Sequence, residues 1–203
     1  HAGLTVGADG GSHQAIEDIS LMRTLPNMTV INPADAKEAE AAVLAAIDYQ
    51  GPVYIRLGRA ETKDIHDDSY HFEWGKAEVL RQGSDVTIFA TGIMTAKALD
   101  AAETLAKQEV QAEVINVHTI KPLDEETVIA SAKKTGKVVT AEEHSIIGGL
   151  GSAVAEVLAR QCPTKQAFVG VQDSFGESGS PNDLLEKYGL TTEAIVKAAV
   201  GLQ

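Results

Sequence analysis

Two hydrophobic periods alternate along this chain. Residues 28–31 and 53–57 are short apolar runs suited to strands, bounded by Asn32-Pro33 and Gly51-Pro52. Between them Ala39, Ala42, Val43, Ala46 and Ile47 recur at helical spacing, and Asp35 with Glu38 resembles a capping box at that helix's start. Strand, helix, strand at this spacing predicts a right-handed βαβ unit in a parallel sheet. An earlier helix over 15–25 carries Ile16, Ile19, Ser20 and Arg23, and Pro26-Asn27 breaks it.

From residue 60 to 74 the periodicity fades. Glu61, Asp64, Asp67, Asp68 and Glu73 dominate, and the stretch reads as an interdomain linker. Regular patterning then returns. Strands are predicted at 77–81 and 85–91, joined like a hairpin through Gln82-Gly83-Ser84, then at 112–117, 137–141 and 166–171. Helices are predicted around Ala98, Ala102, Leu105 and Ala106, and at 124–135, 148–160, 182–188 and 191–200. The fold class is therefore α/β. Three-layer α/β/α sandwiches are expected, with mostly parallel sheets and one antiparallel strand in the C-terminal one. No internal repeat is visible.

Composition narrows the function classes. The 203 residues are 44% hydrophobic and 23% charged, as in ordinary globular proteins, so disorder is not the main description. Seventeen basic against 29 acidic residues give a net charge of −12, which disfavours nucleic acid and anionic membranes as partners. No apolar run approaches the roughly 20 residues of a spanning helix. Cys162 is the only cysteine, so an internal disulfide is impossible and a cytoplasmic setting is expected.

Candidate chemistry gathers at the start of the chain. Gly3, Gly7, Gly10 and Gly11 are interleaved with His1, Asp9 and His13, ending at Gln14. A folded domain seldom opens on such a loop, and no Met precedes it, so the chain reads as the later part of a longer protein. Asp9-Gly10-Gly11 is either a plain turn or part of a polar-substrate site. Two histidines within the same loop favour the second reading, since imidazole donates and accepts protons near neutrality. No third ligand follows at a metal-site spacing, and no metal site is expected. Arg59 follows a predicted parallel strand, where open sheets bind ligands, and a guanidinium there suits phosphate. It reads equally as a surface Arg opening a loop. Arg56, inside the strand, is expected to be paired or edge-facing. Gly148-Gly149-Leu150-Gly151 opens a helix after Glu142-Glu143-His144; it suits an anion, but close backbone packing or a partner contact explains it better. Cys162 reads as packing.

These residues resemble a known family. Gly7-Ala-Asp-Gly-Gly-Ser-His-Gln14, Leu25-Pro-Asn-Met28, Pro33-Ala-Asp35 and Gly51-Pro-Val-Tyr-Ile-Arg-Leu-Gly-Arg59 look like the catalytic region of transketolase. Ile120-Lys-Pro-Leu-Asp124, Glu142-Glu-His144 and Gly148-Gly-Leu-Gly151 are similar to its C-terminal domain. Gly11 departs from the pattern, where relatives more commonly carry Pro or another small residue. The resemblance divides the chain into part of the pyrimidine-binding domain at 1–59, a linker at 60–75 and the C-terminal domain at 76–203. It implies transfer of a two-carbon ketol unit between sugar phosphates, as in the pentose phosphate pathway. His1 then meets the phosphate end of the sugar, Asp9 the hydroxyl beside the reacting carbon, and Arg59 the phosphate. His13 is the catalytic proton donor near the ketose carbonyl.

Thiamine diphosphate and Mg2+ are the implied cofactors, and both are expected mainly on parts before residue 1 or in a separate domain. The chain alone is then inactive. Its implied partners are an N-terminal transketolase portion or subunit, in a homodimer or heterotetramer. A 1-deoxyxylulose-5-phosphate synthase shares the fold and cofactor, but His1 and Ser12-His13-Gln14 favour transketolase. A 2-oxo acid dehydrogenase β subunit fits less well, because its loop lacks the Asp-Gly lead. A noncatalytic assembly module dimerising through the Gly148–Gly151 region is the reading from a different class.

Overall fold

The computed structural model describes residues 1–202 and builds two β-sheets with helices packed against them. A 3-10 segment at Leu4–Asp9 leads into α1 (Asp18–Thr24), β1 (Thr29–Ile31), α2 (Ala36–Ile47) and β2 (Val53–Ile55). β1 and β2 run parallel with Val30 opposite Tyr54, as the apolar runs predict. The Asp35 carboxylate caps α2 by accepting from the Glu38 N–H at 2.9 Å. The Glu38 carboxylate reaches back to the Ala34 N–H at 2.6 Å, one residue earlier than a reciprocal capping box would place it.

The second half contains β3 (Glu78–Arg81), β4 (Val86–Ala90), α3 (Met94–Ala106), β5 (Ala112–Asn116), β6 (Thr119–Lys121) and α4 (Glu125–Thr135). It continues with β7 (Lys137–Ser145), α5 (Leu150–Gln161), β8 (Lys165–Val171), α6 (Pro181–Lys187) and α7 (Thr192–Val200). Five strands form one sheet in the order β3-β5-β4-β7-β8, parallel except for β3. Successive residues of β4 point to opposite faces. Ile88 and Ala90 join Met94, Leu105 and Ile195 beneath α3 and α7, whereas Phe89 joins Val128, Val154 and Leu158 beneath α4 and α5. That is the three-layer arrangement expected.

The antiparallel strand is real, but the hairpin is not. β3 pairs with β5 instead of its sequence neighbour β4. Both edges of β4 are already taken by β5 and β7. The N–H groups of Ser84 and Asp85 both donate to the Gln111 carbonyl, at 3.0 and 2.9 Å, so the turn crosses over β5 instead of folding back.

β6 joins the two halves. It pairs antiparallel with β1 and completes a sheet in the order β2-β1-β6, with Ile120 packed on Ile19, Val30 and Ala153. A three-residue strand carries too few positions to show a period, so the sequence does not announce it.

The polar stretch after residue 60 has no regular structure, yet it is fastened down as a strap. Asp35 Oδ2 accepts from the N–H groups of Ile65 and His66 at 2.7 and 2.8 Å. The His66 ring is buried, with Nδ1 3.0 Å from Asp35 and Nε2 2.9 Å from Glu78. Tyr70 donates to Glu38 at 2.6 Å, and Trp74 stacks on Tyr49 with ring centroids 4.2 Å apart. The strap thereby ties the start of α2 to β3.

Burial disfavours the charged His66 ring, but hydrogen bonds to Glu78 and Asp35 overcome it and raise its pKa to about 9. Because the folded value lies above the ordinary 6.5, this stabilisation is complete below that pH and is lost as pH rises through 9. It amounts to at most about 3 kcal/mol. Denaturant unfolding between those two pH values is expected to show a loss of stability in the native chain that His66→Gln does not share. Parallel pH profiles for the two proteins would contradict the clasp.

Candidate functional site

The carboxyl end of β2 runs out into Leu57-Gly58-Arg59, and the first residues of the chain lie along it. Ala2 N–H donates to the Leu57 carbonyl at 3.1 Å, and Gly3 N–H to the Ala15 carbonyl at 2.8 Å. These bonds close the base of the glycine loop and place His1 beside the strand end that carries Arg59. Gly3 has φ +81°, and a Cβ there would stand 2.2 Å from Glu143 Cδ. Only glycine allows that carboxylate to slide beneath the loop.

The floor of the loop is a buried ionic network. Arg56, 3% exposed, donates from Nε to Asp18 Oδ2 at 2.9 Å. From Nη2 it donates to the carbonyls of Ala15 and Glu143, at 2.9 and 3.0 Å. Asp18 also accepts from the Tyr54 hydroxyl at 2.8 Å, and Glu143 Oε1 accepts from Thr5 N–H at 2.6 Å. Burial alone would raise the Asp18 carboxyl, but Arg56 and Tyr54 hold it below the ordinary value. Burial also pushes the Glu143 carboxyl up, against the pull of Arg56, and with Asp18 drives Tyr54 to about 12. Arg56, one residue beyond β2, is thus paired, the first of the two alternatives the sequence left open.

Above this floor the candidate side chains are exposed. Arg59 Nη1 meets Asp9 Oδ2 at 2.6 Å, with each side chain nearly half exposed. His13 N–H closes a turn on the Gly10 carbonyl at 2.9 Å, and Ser12 Oγ lies 3.0 Å from His13 Nδ1. Among the described residues His13 Nε2 has no partner. One ring nitrogen is steadied and the other faces outward, as a proton-transfer group requires. The loop and the β2 end thus bring Asp9 and Arg59 into contact, and His13, in the same loop, and His1 are also exposed.

The other motifs resolve into structure. The N–H groups of Leu150 and Gly151 are taken by the chain's own Glu142 carboxylate, at 2.7 and 2.8 Å. The anion that this glycine cluster suits is therefore internal. Burial pushes Glu142 up to about 7 against those two hydrogen bonds. His144 is held neutral, near 4, by burial and by the positive Arg56. Its Nδ1 lies 2.7 Å from the Ser145 carbonyl and its Nε2 accepts from Ser20 N–H at 3.4 Å. One cluster of metal-ligating composition exists among the described residues, Glu38, His66 and Glu78, with ligand atoms within 4.8 Å of one another. Both His66 nitrogens already face carboxylates, and Glu38 already accepts from Ala34, Tyr70 and Asn116. These atoms are thus engaged in hydrogen bonds within the chain.

Sequence reasoning missed this floor. The available signal was an arginine within the apolar run Val53-Tyr-Ile-Arg-Leu57, which predicts a buried counter-ion without saying where it lies.

Comparison with known proteins agrees across the chain. Residues 1–64 match the transketolase pyrimidine binding domain and residues 75–195 the transketolase C-terminal domain. The chain is 54% identical over 197 residues to a 6-deoxy-6-sulfo-D-fructose transketolase subunit, SqwH, from Clostridium sp. (strain MSTE9), covering 97% of this chain and 61% of that protein. A 1-deoxy-D-xylulose-5-phosphate synthase from Desulforudis audaxviator is 38% identical over 201 residues, covering 97% of this chain and 32% of the relative. Among solved structures, a split gene transketolase described as an inactive beta4 tetramer superposes with a TM-score of 0.93 at 54% identity, covering 97% of this chain and 64% of that one. The chain thus spans less than two thirds of the length of these relatives.

The floor and the rim respond differently to substitution. Arg56→Met strands Asp18 as a buried charge and is expected to destabilise the chain by about 3–5 kcal/mol. Asp9→Asn removes only an exposed pair and is expected to change stability by less than about 1 kcal/mol. Denaturant unfolding of the two variants checks both values, and equal losses would contradict the division.

Proposed function

Because this chain belongs to the transketolase family, we propose that it supplies the sugar-facing wall of a ketol-transferring enzyme. The remainder of that enzyme is an N-terminal portion or subunit, and the reading rests on the incomplete length of the match. The observation that carries the assignment is the Asp9–Arg59 contact at 2.6 Å, made from the same exposed loop that bears His13. A guanidinium, a carboxylate and two imidazoles suit a polyol with an anionic end.

The same donor set does not suit the holding of thiamine diphosphate. The rim offers no cluster of carboxylates and amides for a diphosphate-bound cation. The groups that hold the cofactor and Mg2+ are assigned to the portion outside this chain. Thiamine diphosphate, when bound, supplies the nucleophilic carbon and the electron sink of ketol transfer. This chain binds and orients the sugar. Arg59 and His1 hold the anionic end, and Asp9 accepts from a hydroxyl beside the reacting carbon. His13 Nε2 gives a proton to the ketose carbonyl oxygen as its carbon is attacked and takes one back as that carbonyl re-forms in the product.

Arg59 meets Asp9 before substrate arrives, so the two charges are already oriented toward each other and toward the ligand. A phosphate or a sulfonate fits the guanidinium equally, and the relative that acts on 6-deoxy-6-sulfo-D-fructose makes both worth assaying. The synthase reading shares the same rim and is separated by the acceptor used.

Reconstitution with the N-terminal portion and an assay of ketol transfer tests the proposal. Transfer should require thiamine diphosphate, and His13→Ala should lower kcat by about 100- to 10,000-fold. Arg59→Ala should raise KM for phosphorylated or sulfonated sugars by about tenfold or more, the loss of a charged hydrogen bond, and leave neutral sugars less affected. Full activity in His13→Ala, or equal effects of Arg59→Ala on charged and neutral sugars, would overturn these roles.

A further inference from the structure

The loop that carries Asp9 and His13 is supported from outside by a segment far along the chain, between β8 and α6. Gln14, 5% exposed, is the wedge between them. Its Nε2 donates to the carbonyls of Leu4 and Gly7, both at 3.2 Å, and to that of Glu177 at 2.9 Å. Its Oε1 is buried without a hydrogen-bond partner and lies against Gly176, where an added Cβ would stand 1.9 Å away. The main chain of Gly11 rests on the Gly176 carbonyl, 2.7 Å from where a Cβ would sit. The supporting segment is itself anchored, since the Tyr188 hydroxyl donates to the Phe175 carbonyl at 2.7 Å.

Three carbonyl oxygens converge on one nitrogen. The amide brings two N–H donors to three carbonyls, so one donor is shared, and it does so without burying a charge. A carboxylate would set oxygen against oxygen, and a thioether would leave the carbonyls without this donor. His13 is the next residue. Its ring has one hydrogen-bond partner among the described residues, the adjacent Ser12 hydroxyl, so its direction follows the main chain of residues 10–14. Gln14 anchors the far end of that main chain, beyond the turn that His13 N–H closes on the Gly10 carbonyl.

We propose that Gln14 is a positioning residue, which aims His13 by clamping the loop to the segment around Gly176 and Glu177. The C-terminal region thereby acts on substrate geometry. This inference rests on the role proposed above for His13.

Two variants approach the clamp from opposite sides. Gln14→Met removes the donors at similar volume, and Gly176→Ala displaces Oε1. In NMR spectra of the full chain both should shift the His13 ring resonances and leave the distant His66 ring unmoved. The double variant should move them no further than the larger single change, because both break one contact. Unmoved His13 signals, or strictly additive shifts, would overturn the clamp. In the reconstituted enzyme each variant should lower kcat by about 10- to 100-fold, as misaligned reacting groups do, and change KM for the charged sugar by less than it changes kcat, because Arg59, which holds the anionic end, is off the loop. Unchanged kcat, or a rise in KM alone, would also overturn it. If the native reconstituted enzyme transfers no ketol unit, the functional reading fails, and the NMR comparison still decides the clamp.

Discussion

A buried guanidinium holds this architecture together. Arg56 leaves the end of β2 and touches three separate pieces of chain: Asp18 at the start of α1, the Ala15 carbonyl at the base of the glycine loop, and the Glu143 carbonyl in β7. Taking a cation out of water costs several kcal/mol, and only a complete set of acceptors offsets it. The acceptors come from both halves of the chain, so the cation fixes the distance between them. The loop floor, the strand end bearing Arg59 and the C-terminal sheet are consequently one assembly. Flexible domains joined by a tether would not show this.

The rim is built on a different principle from the floor. Buried charges are met by partners: Glu143 by Thr5, Glu142 by the first N–H groups of α5, and His66 by two carboxylates, while Thr5 Oγ1, Gln14 Oε1 and Asp18 Oδ1 are buried without a hydrogen-bond partner among the described residues. Exposed groups on the rim keep capacity, with Arg59 and Asp9 half in solvent and His13 held at one nitrogen only. On the proposed site, a substrate exchanges water for protein on the rim without disturbing the floor. Rigid support beneath labile contacts is what orientation of a small polar ligand requires.

Much of this was legible in the sequence because it is written in local chemistry. The period-two and period-3.6 patterns mark the central strands and helices, and Asp35 announces the start of α2. The glycine loop with Asp9, His13 and Arg59 stands out because such residues have no packing reason to cluster. What escaped was non-local. β3 looks like half of a hairpin until Ser84 and Asp85 are seen to bond Gln111, and β6 is too short for any period. The stretch after residue 60 is polar and aperiodic, so it reads as a linker. Its fastening depends on His66 meeting Asp35 and Glu78, which only the fold brings together. The partners of Arg56 and Gln14 are equally invisible, since carbonyl acceptors carry no sequence signature.

The central claim is that the substrate wall is preformed within this chain, before any partner or ligand arrives. Amide hydrogen exchange of residues 3–14 in the isolated chain measures it most directly. The N–H groups of Gly3 and Thr5 bond the Ala15 carbonyl and the Glu143 carboxylate, so they should exchange as slowly as the amides of β7. Exchange at the rate of an open loop, with protection appearing only on addition of the N-terminal portion, would contradict the account.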